Sequence, residues 1–460
     1  MKEAAPYLVV VWVVAMLGFF PLFRSPRRAV LFIMISGMLF LPEALPDHFA
    51  LGPLHFTKYH AISYASLFGV LLFNPGSLLS MRPTLFDVPA LVWCLCPFPS
   101  VLTNASPPDG SSMLYDALSQ TWAQIASYGI PYLLGRMCFT SVESFGEFGV
   151  GIVTGAIVYV PLCLYEIKMS PQLHGMIYGY AQHSFAQTIR LGGYRPMVFL
   201  PHGLSLSMYM LSATFFASLM WLNGDFVRSN STLLSRSLRY SPVVLIATEL
   251  LLKSTGALAL GLVGAIAFMV GRLTKSHCPL LMLVAVPLVY VAVRANGAWT
   301  GESLVQLVAE YIDSDRAQSI DFRLINENML VMKAHERPWF GWGGWGRSRV
   351  YDEESGKDLT VTDGLWIIAL GDRGLVGLLG LGGMLLFPII RFTLMFPPSK
   401  SFESASVTAG AFALALWVID CLPNAMTLPI YFLIAGGLTA VRPSPKWYPK
   451  PAPIKSFQLK

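Results

Sequence analysis

Charged residues are scarce in this chain. Only 13% of its 460 residues are Asp, Glu, Lys or Arg, whereas 54% are hydrophobic, and the mean hydropathy is +0.57. A soluble domain carries about 25% charged residues. A water-soluble core of this size cannot enclose so much apolar surface, so the composition predicts a protein whose solvent is lipid.

Signatures of soluble enzymes and of metal sites are also missing. The sequence has no Walker A loop, Rossmann fingerprint, HExxH or G-x-S-x-G, so no motif indicates an ATPase, an oxidoreductase or a hydrolase. None of its six cysteines stands at metal-ligand spacing from a histidine. We therefore expect no metal and no cofactor. The first apolar run contains Glu3 and lacks a small-residue cleavage site before Arg24, so we expect it to remain as a helix.

Apolar runs of membrane-helix length recur along the whole chain. A bilayer core requires about 20 apolar residues per helix, or fewer where a segment is shielded by its neighbours. Thirteen segments qualify: 6–23, 29–45, 60–74, 85–104, 120–136, 147–165, 198–222, 242–252, 255–271, 278–294, 364–393, 404–421 and 425–441. We therefore predict an all-α fold, a polytopic transmembrane helix bundle of about 12–13 helices that forms a single membrane domain over residues 1–460.

The basic residues set the expected orientation. They occur in short runs that follow the first, third, fifth, seventh, ninth and eleventh segments and in the tail. If thirteen helices cross the membrane with the N-terminus outside, every run of basic residues lies in the cytoplasm, and no other topology places them all there. The net charge of +6 thus reflects topology and does not indicate nucleic-acid binding. The same topology makes residues 166–197 and 295–363 exterior loops and residues 442–460 a Pro-rich cytoplasmic tail, which we predict to be disordered.

The two exterior loops contain arginines near helix starts. Arg190 and Arg195 lie in the first loop, and Arg323 and Arg337 lie in the second. Arginine binds phosphate well because its planar fork pairs two oxygens and stays charged, and the phosphates near a membrane are lipid headgroups or a lipid diphosphate. Alternatively, these arginines pair with loop acids or extend to ordinary headgroups.

Other polar residues of the second loop are candidates as well. His335, Glu336 and Trp342 lie close to the second-loop arginines in sequence and are candidate substrate-binding residues. Asp363 precedes an apolar helix that enters the membrane from outside. Asp363 could be the N-cap of this helix, or it could be a general base that accepts a proton from an acceptor hydroxyl. The sequence leaves both interpretations open. The D-x-D spacing at residues 313–315 matches metal-binding transferases, but so short a match in an acid-rich loop is expected by chance.

Several of these motifs, taken in order, resemble the O-antigen ligase and O-antigen polymerase superfamily. Asp363-Gly364, nine residues, and then the Gly-Leu-Val-Gly of residues 374–377 have the spacing of the ligase motif, with Asp363 where the ligases have histidine. The Pro-Trp-Phe-Gly-Trp-Gly of residues 338–343 is similar to the family's Pro-aromatic-Gly-x-Gly segment. Residues 252–256 are similar to its Ser-Arg-Gly turn, with threonine where arginine is usual. The resemblance covers roughly residues 180–440.

The resemblance implies a GT-C-like O-antigen ligase fold and a site on the periplasmic side of the bacterial inner membrane. It implies metal-independent, inverting transfer of a glycan from undecaprenyl diphosphate to a glycan or lipid acceptor, as in the synthesis of lipopolysaccharide and other cell-envelope polysaccharides. By the same resemblance, Arg195 and Arg323 hold the diphosphate and Asp363 takes the proton. Besides donor and acceptor, membrane lipids are the expected partners.

Whether the chain is a ligase or a polymerase stays open at this point, and two other classes of protein remain. One is a transporter or flippase of a lipid-linked or anionic solute. The sequence disfavours it, because the charges cluster in outer loops and no internal repeat is found. The other is a non-catalytic assembly subunit, which the sequence does not exclude.

Overall fold

The chain folds mostly into α-helices. The structure, a computed structural model, describes residues 2–43, 45, 50–51, 54–228, 237–311, 314–401 and 403–443. Residues 444–460 of the predicted tail and residue 313 of the D-x-D match lie outside the described residues.

Within the described ranges, the helices divide into those before and those after residue 200. The first group is α1 (Ala5–Phe19), α2 (Pro26–Phe40), α3 (Lys58–Phe73), α4 (Gly76–Leu79), α5 (Val88–Leu95), α6 (Pro97–Leu102), α7 (Met113–Gln124), α8 (Ile130–Cys138), α9 (Val142–Met169) and α10 (Leu173–Tyr178). The second group is α11 (Gly203–Leu222), α12 (Asp225–Arg228), α13 (Ser241–Leu251), α14 (Thr255–Thr274), α15 (Cys278–Ala295), α16 (Glu302–Tyr311), α17 (Ser314–His335), α18 (Leu365–Met395), α19 (Pro398–Ser401), α20 (Ala405–Asp420) and α21 (Pro429–Ala440). Two short antiparallel hairpins are β1 (Ala50–Leu51) with β2 (Leu54–His55) and β3 (Ile189–Arg190) with β4 (Gly193–Tyr194).

Each of the thirteen predicted apolar segments overlaps at least one of these helices. Seven helical segments among the described residues are long and apolar enough to cross a membrane, and α20 and α21 are apolar but shorter. The seven are Ala5–Leu22, Leu85–Leu102, Val142–Met169, Gly203–Leu222, Thr255–Thr274, Cys278–Ala295 and Leu365–Met395. The helical, multi-pass character predicted from composition is therefore confirmed, whereas the number of spans stays a prediction.

The centre of the bundle is formed by α11, α20 and α21, whose side chains are nearly all buried. Trp417 of α20 stacks on Tyr431 of α21 with ring centroids 4.3 Å apart. The Tyr431 hydroxyl lies 3.0 Å from the hydroxyl of Ser212 on α11. A Cβ at Gly436 would overlap the backbone of Tyr132 on α8. Such close backbone approach is what holds helices together where lipid removes the hydrophobic drive between them.

Contacts between helix ends define one face of the bundle that carries both predicted exterior loops, and we call it the loop face. The Lys58 ammonium, at the start of α3, donates to the Phe199 carbonyl just before α11, at 2.6 Å. The amide of Leu365, at the start of α18, donates to the carbonyl of Cys421, at the end of α20, at 3.0 Å. The starts of α3, α11 and α18 and the end of α20 therefore lie at the same face.

The other ends of the helices meet at the opposite face. Arg28, near the start of α2, pairs with Glu147, near the start of α9, at 3.2 Å. Arg136, at the end of α8, donates to the carbonyl of Thr439, at the end of α21, at 3.2 Å. Arg391, near the end of α18, donates to the carbonyl of Val441 at 3.0 Å. These arginines belong to the runs predicted to face the cytoplasm, and the structure does place them at a common end.

The predicted exterior loops contain more regular structure than their lack of apolar runs indicated. Residues 166–197 begin inside α9 and continue through α10 and the β3–β4 hairpin. The first half of residues 295–363 forms α16 and α17, and α17 is a 22-residue helix with a polar average composition. One side of this helix, which includes Leu324, Val331 and Ala334, is buried against the bundle. A search for uniformly apolar runs does not detect such an amphipathic helix.

Candidate functional site

The helix α18 is interrupted where it reaches the loop face. Gly374 has φ of 64° and ψ of −166°, a geometry that is essentially restricted to glycine. A straight helix of 31 residues would be about 46 Å long, against about 24 Å for the 16 residues of α20. Both helices nevertheless run between the same two faces, because Leu365 contacts Cys421 and a connection of nine residues, 396–404, joins the end of α18 to the start of α20. The break at Gly374 lets the first turns of α18 bend along the loop face.

Residues 338–343 complete the hydrogen bonding at this break. Four backbone bonds join the two segments: Trp342 N to Gly371 O at 2.9 Å, Gly343 N to Asp372 O at 2.9 Å, Leu375 N to Pro338 O at 2.7 Å and Val376 N to Trp339 O at 3.2 Å. Non-helical backbone near a membrane is tolerated when protein groups satisfy it in this way. The Pro-aromatic-Gly segment and the glycine motif, which are separate in the sequence, are therefore one structural unit.

A buried arginine positions α17 beside this unit. Arg294, in the last turn of α15, is 2% exposed, pairs with Glu327 at 3.0 Å and donates to Asn328 at 2.9 Å. The hydroxyl of Tyr290 donates to the same Glu327 carboxylate at 2.7 Å. A buried charge is stable only when its hydrogen-bonding groups are satisfied by partners in this manner. These bonds fix α17 on the bundle, and with it Arg323.

Arg323 and Asp363 lie together at the loop face. The Arg323 Nε is 3.7 Å from Oδ2 of Asp363, and each side chain is 41% exposed. The N-cap of α18 is Gly364, and no side chain forms a cap bond there, so Asp363 is not the cap. Arg323 also lies within electrostatic range of Asp420, a buried carboxylate at the end of α20. Asn424 donates to Oδ1 of Asp420 at 3.1 Å, while Oδ2 has no hydrogen-bond partner among the described residues.

Arg195 belongs to a different group of contacts at the loop face. Its guanidinium donates to the carbonyl of Lys253 at 3.2 Å, and its side-chain carbons cover Gly203. The side chain is 9% exposed, and Nε has no partner within the described part of the chain. Burial lowers the pKa of Arg195, and the positive charge of Arg190 on β3 lowers it further. An unsatisfied buried N–H of this kind favours an anion as a partner.

The structure thus joins Arg323 to Asp363 directly and gives Arg195 a separate set of neighbours. Convergence of all three on one cavity stays a prediction. His335, at the end of α17, has its Nε2 2.8 Å from the carbonyl of Ala295 and anchors the helix end to α15.

A cleft of about 680 Å³ contains the other predicted substrate-binding residues of the second loop. Glu336, Arg337 and Trp342 line it, together with further residues of α17 and of the segment that follows. The ring of Trp342 lies 4.1 Å from the ammonium of Lys333 and 4.7 Å from the guanidinium of Arg337. Its indole N–H donates to the Lys333 carbonyl at 2.9 Å. The cleft is therefore basic and has a fixed aromatic wall.

No family model and no curated protein matches the chain.

Sequence reasoning missed three features of this face. Asp420 carries no sequence motif, although it lies within electrostatic range of Arg323. Lys253 provides the carbonyl that holds Arg195, and its φ of 54° marks a tight turn. Arg347 lines the cleft beside Arg337. For Arg347, the sequence offered a signal, because an arginine-rich stretch follows a Gly-Trp repeat. The roles of Asp420 and Lys253 depend on contacts between distant segments.

A larger cavity, of about 980 Å³, lies between α2 and α9 and has mostly apolar walls. None of the predicted site residues lines it. No group of three or more His, Cys, Asp or Glu side chains in the described ranges could hold a metal ion. Residue 313 and the side chain of Asp315 lie outside those ranges.

Proposed function

We propose that this protein transfers a lipid-diphosphate-linked glycan to an acceptor hydroxyl at the loop face. The observation that carries the proposal is the half-exposed Arg323–Asp363 pair, with the buried carboxylate of Asp420 within electrostatic range of Arg323. A carboxylate that water and substrate can reach, next to a fixed cation at the membrane edge, suits a reaction in which a hydroxyl loses a proton while an anionic group departs.

The proposed reaction is an inverting displacement. The acceptor oxygen forms a bond to the anomeric carbon, the bond from that carbon to the diphosphate oxygen breaks, and the diphosphate leaves with the electron pair. Asp363 takes the proton of the hydroxyl. Arg323 stabilises the negative charge that grows on the leaving oxygen, and Arg195 with its unsatisfied N–H holds the other phosphate.

The cellular setting is part of the same proposal. We infer a bundle of about 12–13 spans with a GT-C-like architecture of the O-antigen ligase type, in a bacterial inner membrane with the loop face toward the periplasm. The gathering of Arg28, Arg136 and Arg391 at the opposite face supports this orientation, because cytoplasmic ends favour positive charge. The donor would be an undecaprenyl-diphosphate-linked glycan, and the acceptor a glycan or a lipid.

Replacement of Asp363 tests the proposal. Asp363→Asn keeps the size of the side chain and removes the base, so transfer should fall by about 10²–10⁴-fold while folding is preserved. Arg323→Lys keeps the charge but loses the planar fork, so donor binding should weaken along with turnover. The assay is glycan analysis of cells that carry each variant.

The matched control for this test is Asp358→Asn. Asp358 is another second-loop carboxylate that pairs with an arginine, Arg349, at 2.7 Å, and it has no part in the proposed chemistry. Normal amounts of product from the Asp363→Asn protein would rule out Asp363 as the base and turn attention to Asp420.

A second candidate function is transport of a lipid-linked or anionic solute. The observation that favours it is the interruption of α18, because transporters build their binding sites from discontinuous helices. Asp372 and Arg373 stand directly beside the break. The test is reconstitution in vesicles with labelled lipid-linked glycan and no acceptor. Movement of the label across the bilayer, unaffected by Asp363→Asn, would favour transport over transfer.

A further inference from the structure

The basic cleft and the Arg323–Asp363 pair lie at different positions along α17. Arg323 lies in the middle of the helix, whereas the cleft is lined by Met329, Met332 and Lys333 near its end and by Glu336 just beyond it. Ten residues separate Arg323 from Lys333, which is about 15 Å along the helix axis. The proposed site of reaction and the cleft are therefore separate.

The charge of the cleft is positive and only partly balanced. Its lining includes Lys333, Arg337, Arg347 and Arg349 but only two acidic residues, Glu336 and Glu353. Two of the cations are paired, Lys333 with Glu336 at 2.8 Å and Arg349 with Asp358 at 2.7 Å.

The other two arginines keep their charge available. Arg337 donates to the Thr103 carbonyl at 2.7 Å, and Arg347 donates to the Ser106 carbonyl at 3.2 Å. Backbone carbonyls hold a guanidinium in place without neutralising it. Within the described part of the chain, neither arginine forms an ion pair with a carboxylate, and Nη1 of Arg347 is buried with no hydrogen-bond partner. A buried, unsatisfied cationic N–H is costly unless an anion binds to it.

The aromatic wall adds a second element of recognition. Trp342 is anchored by its indole N–H and by the backbone bond to Gly371 at the helix break. Tyr351, which is 45% exposed, lies on the same cleft. The ring of Trp342 lies against Lys333 and Arg337 and holds these cations in place. The exposed ring of Tyr351 offers a flat surface to the apolar face of a sugar ring, and the arginines beside it can bind an anionic group. A volume of about 680 Å³ is in the range of small-molecule sites.

We propose that this cleft binds an anionic saccharide, a sugar ring that carries a phosphate or a carboxylate, with Arg337 and Arg347 as its anion-binding residues. The inference deepens the proposed transfer function and depends on it for its role: the cleft would select a charged glycan, away from the bond that reacts. Binding itself does not depend on the transfer reaction, so the two proposals are tested by different measurements.

The test is a fluorine NMR titration of the full-length protein labelled with 5-fluorotryptophan. The Trp342 signal is identified by its loss in Trp342→Phe, and the ten other tryptophans report on folding. Glucose 6-phosphate and glucuronate should each shift the Trp342 signal in a saturable manner, and glucose should not at the same concentration. The double variant Arg337→Gln, Arg347→Gln should weaken this binding at least about tenfold, because hydrogen bonds to charged groups are the strong ones. Arg272→Gln, at an exposed position at the end of α14, is the matched control and should bind as the unchanged protein does.

Three results would overturn the inference. The first is no shift of the Trp342 signal with either anionic sugar. The second is an equal shift with glucose, or full affinity for inorganic phosphate alone, because the site would then not recognise a charged sugar. The third is unchanged binding by the double variant while its other tryptophan signals are normal. If the Asp363→Asn protein transfers glycan normally and the titration succeeds, the proposed reaction is excluded and the binding cleft stands. If the titration fails and the Asp363→Asn protein loses transfer, the binding cleft is excluded and the proposed reaction stands.

Discussion

The interruption of α18 makes a sharp prediction about Gly374. In Gly374→Ala the new Cβ would overlap the Trp339 carbonyl and crowd the amide of Phe340. The backbone geometry there costs a non-glycine residue about 1–3 kcal/mol. Displacement of residues 338–343 would also break the four backbone bonds across the break, at about 1 kcal/mol each. The expected local destabilisation is about 5–7 kcal/mol when all four bonds are lost.

Hydrogen exchange of the detergent-solubilised protein measures this effect. The amides that bridge the break, those of Trp342, Gly343, Leu375 and Val376, should exchange about 10³-fold faster or more in Gly374→Ala, since each 1.4 kcal/mol is a factor of ten. Gly382→Ala is the matched control, because Gly382 lies in the same helix and a Cβ there meets nothing within 4 Å. Exchange in Gly374→Ala that is no faster than in Gly382→Ala would refute the argument that the loop segment closes the break.

Two other predictions concern the docking of α17 and the orientation of the chain. Arg294→Met leaves Glu327 buried without its partner, so it should lower the stability by about 3–5 kcal/mol and expose residues 302–335 to limited proteolysis. The double variant Arg294→Met, Glu327→Leu should recover much of the lost stability. Equal proteolysis of the single and double variants would contradict this. For orientation, a cysteine at Gly356 should react with an impermeant maleimide on intact cells, while the exposed native Cys278, at the opposite face, should react only after permeabilisation. The reverse pattern of labelling would invert the proposed topology.

The helices of the membrane core could be predicted because an apolar run of suitable length has few other ways to satisfy its backbone in lipid. The thirteen segments therefore reappear as helices, although segments 85–104 and 120–136 each fall on two helices. The helix α17 was not predicted, because its polar residues hide the apolar stripe formed by Leu324, Val331 and Ala334. The spacing of those residues, seven and three apart, is helical and was available in the sequence.

The candidate site was harder to predict, because its contacts join distant parts of the chain. The Arg323–Asp363 pair spans 40 positions, and the sequence marked each residue as a candidate without indicating that the two lie together. The glycine motif at 374–377 was detected by its spacing, but spacing does not reveal that Gly374 has a positive φ and interrupts a helix. The charge balance of the cleft depends on the direction of the Arg337 and Arg347 side chains toward backbone carbonyls, which no sequence pattern encodes.

The backbone hydrogen bonds between residues 338–343 and the break in α18 also determine which groups attract an anionic substrate. A free helix N-terminus carries a partial positive charge and often holds an anion by itself. Here the first amides of the membrane-spanning half of α18, those of Leu375 and Val376, are already occupied by the carbonyls of Pro338 and Trp339. These two amides are therefore not available to a ligand at this point. At the break itself an anion is therefore attracted mainly by side-chain charges, which act over a distance, shift with salt concentration and can be removed one at a time by substitution.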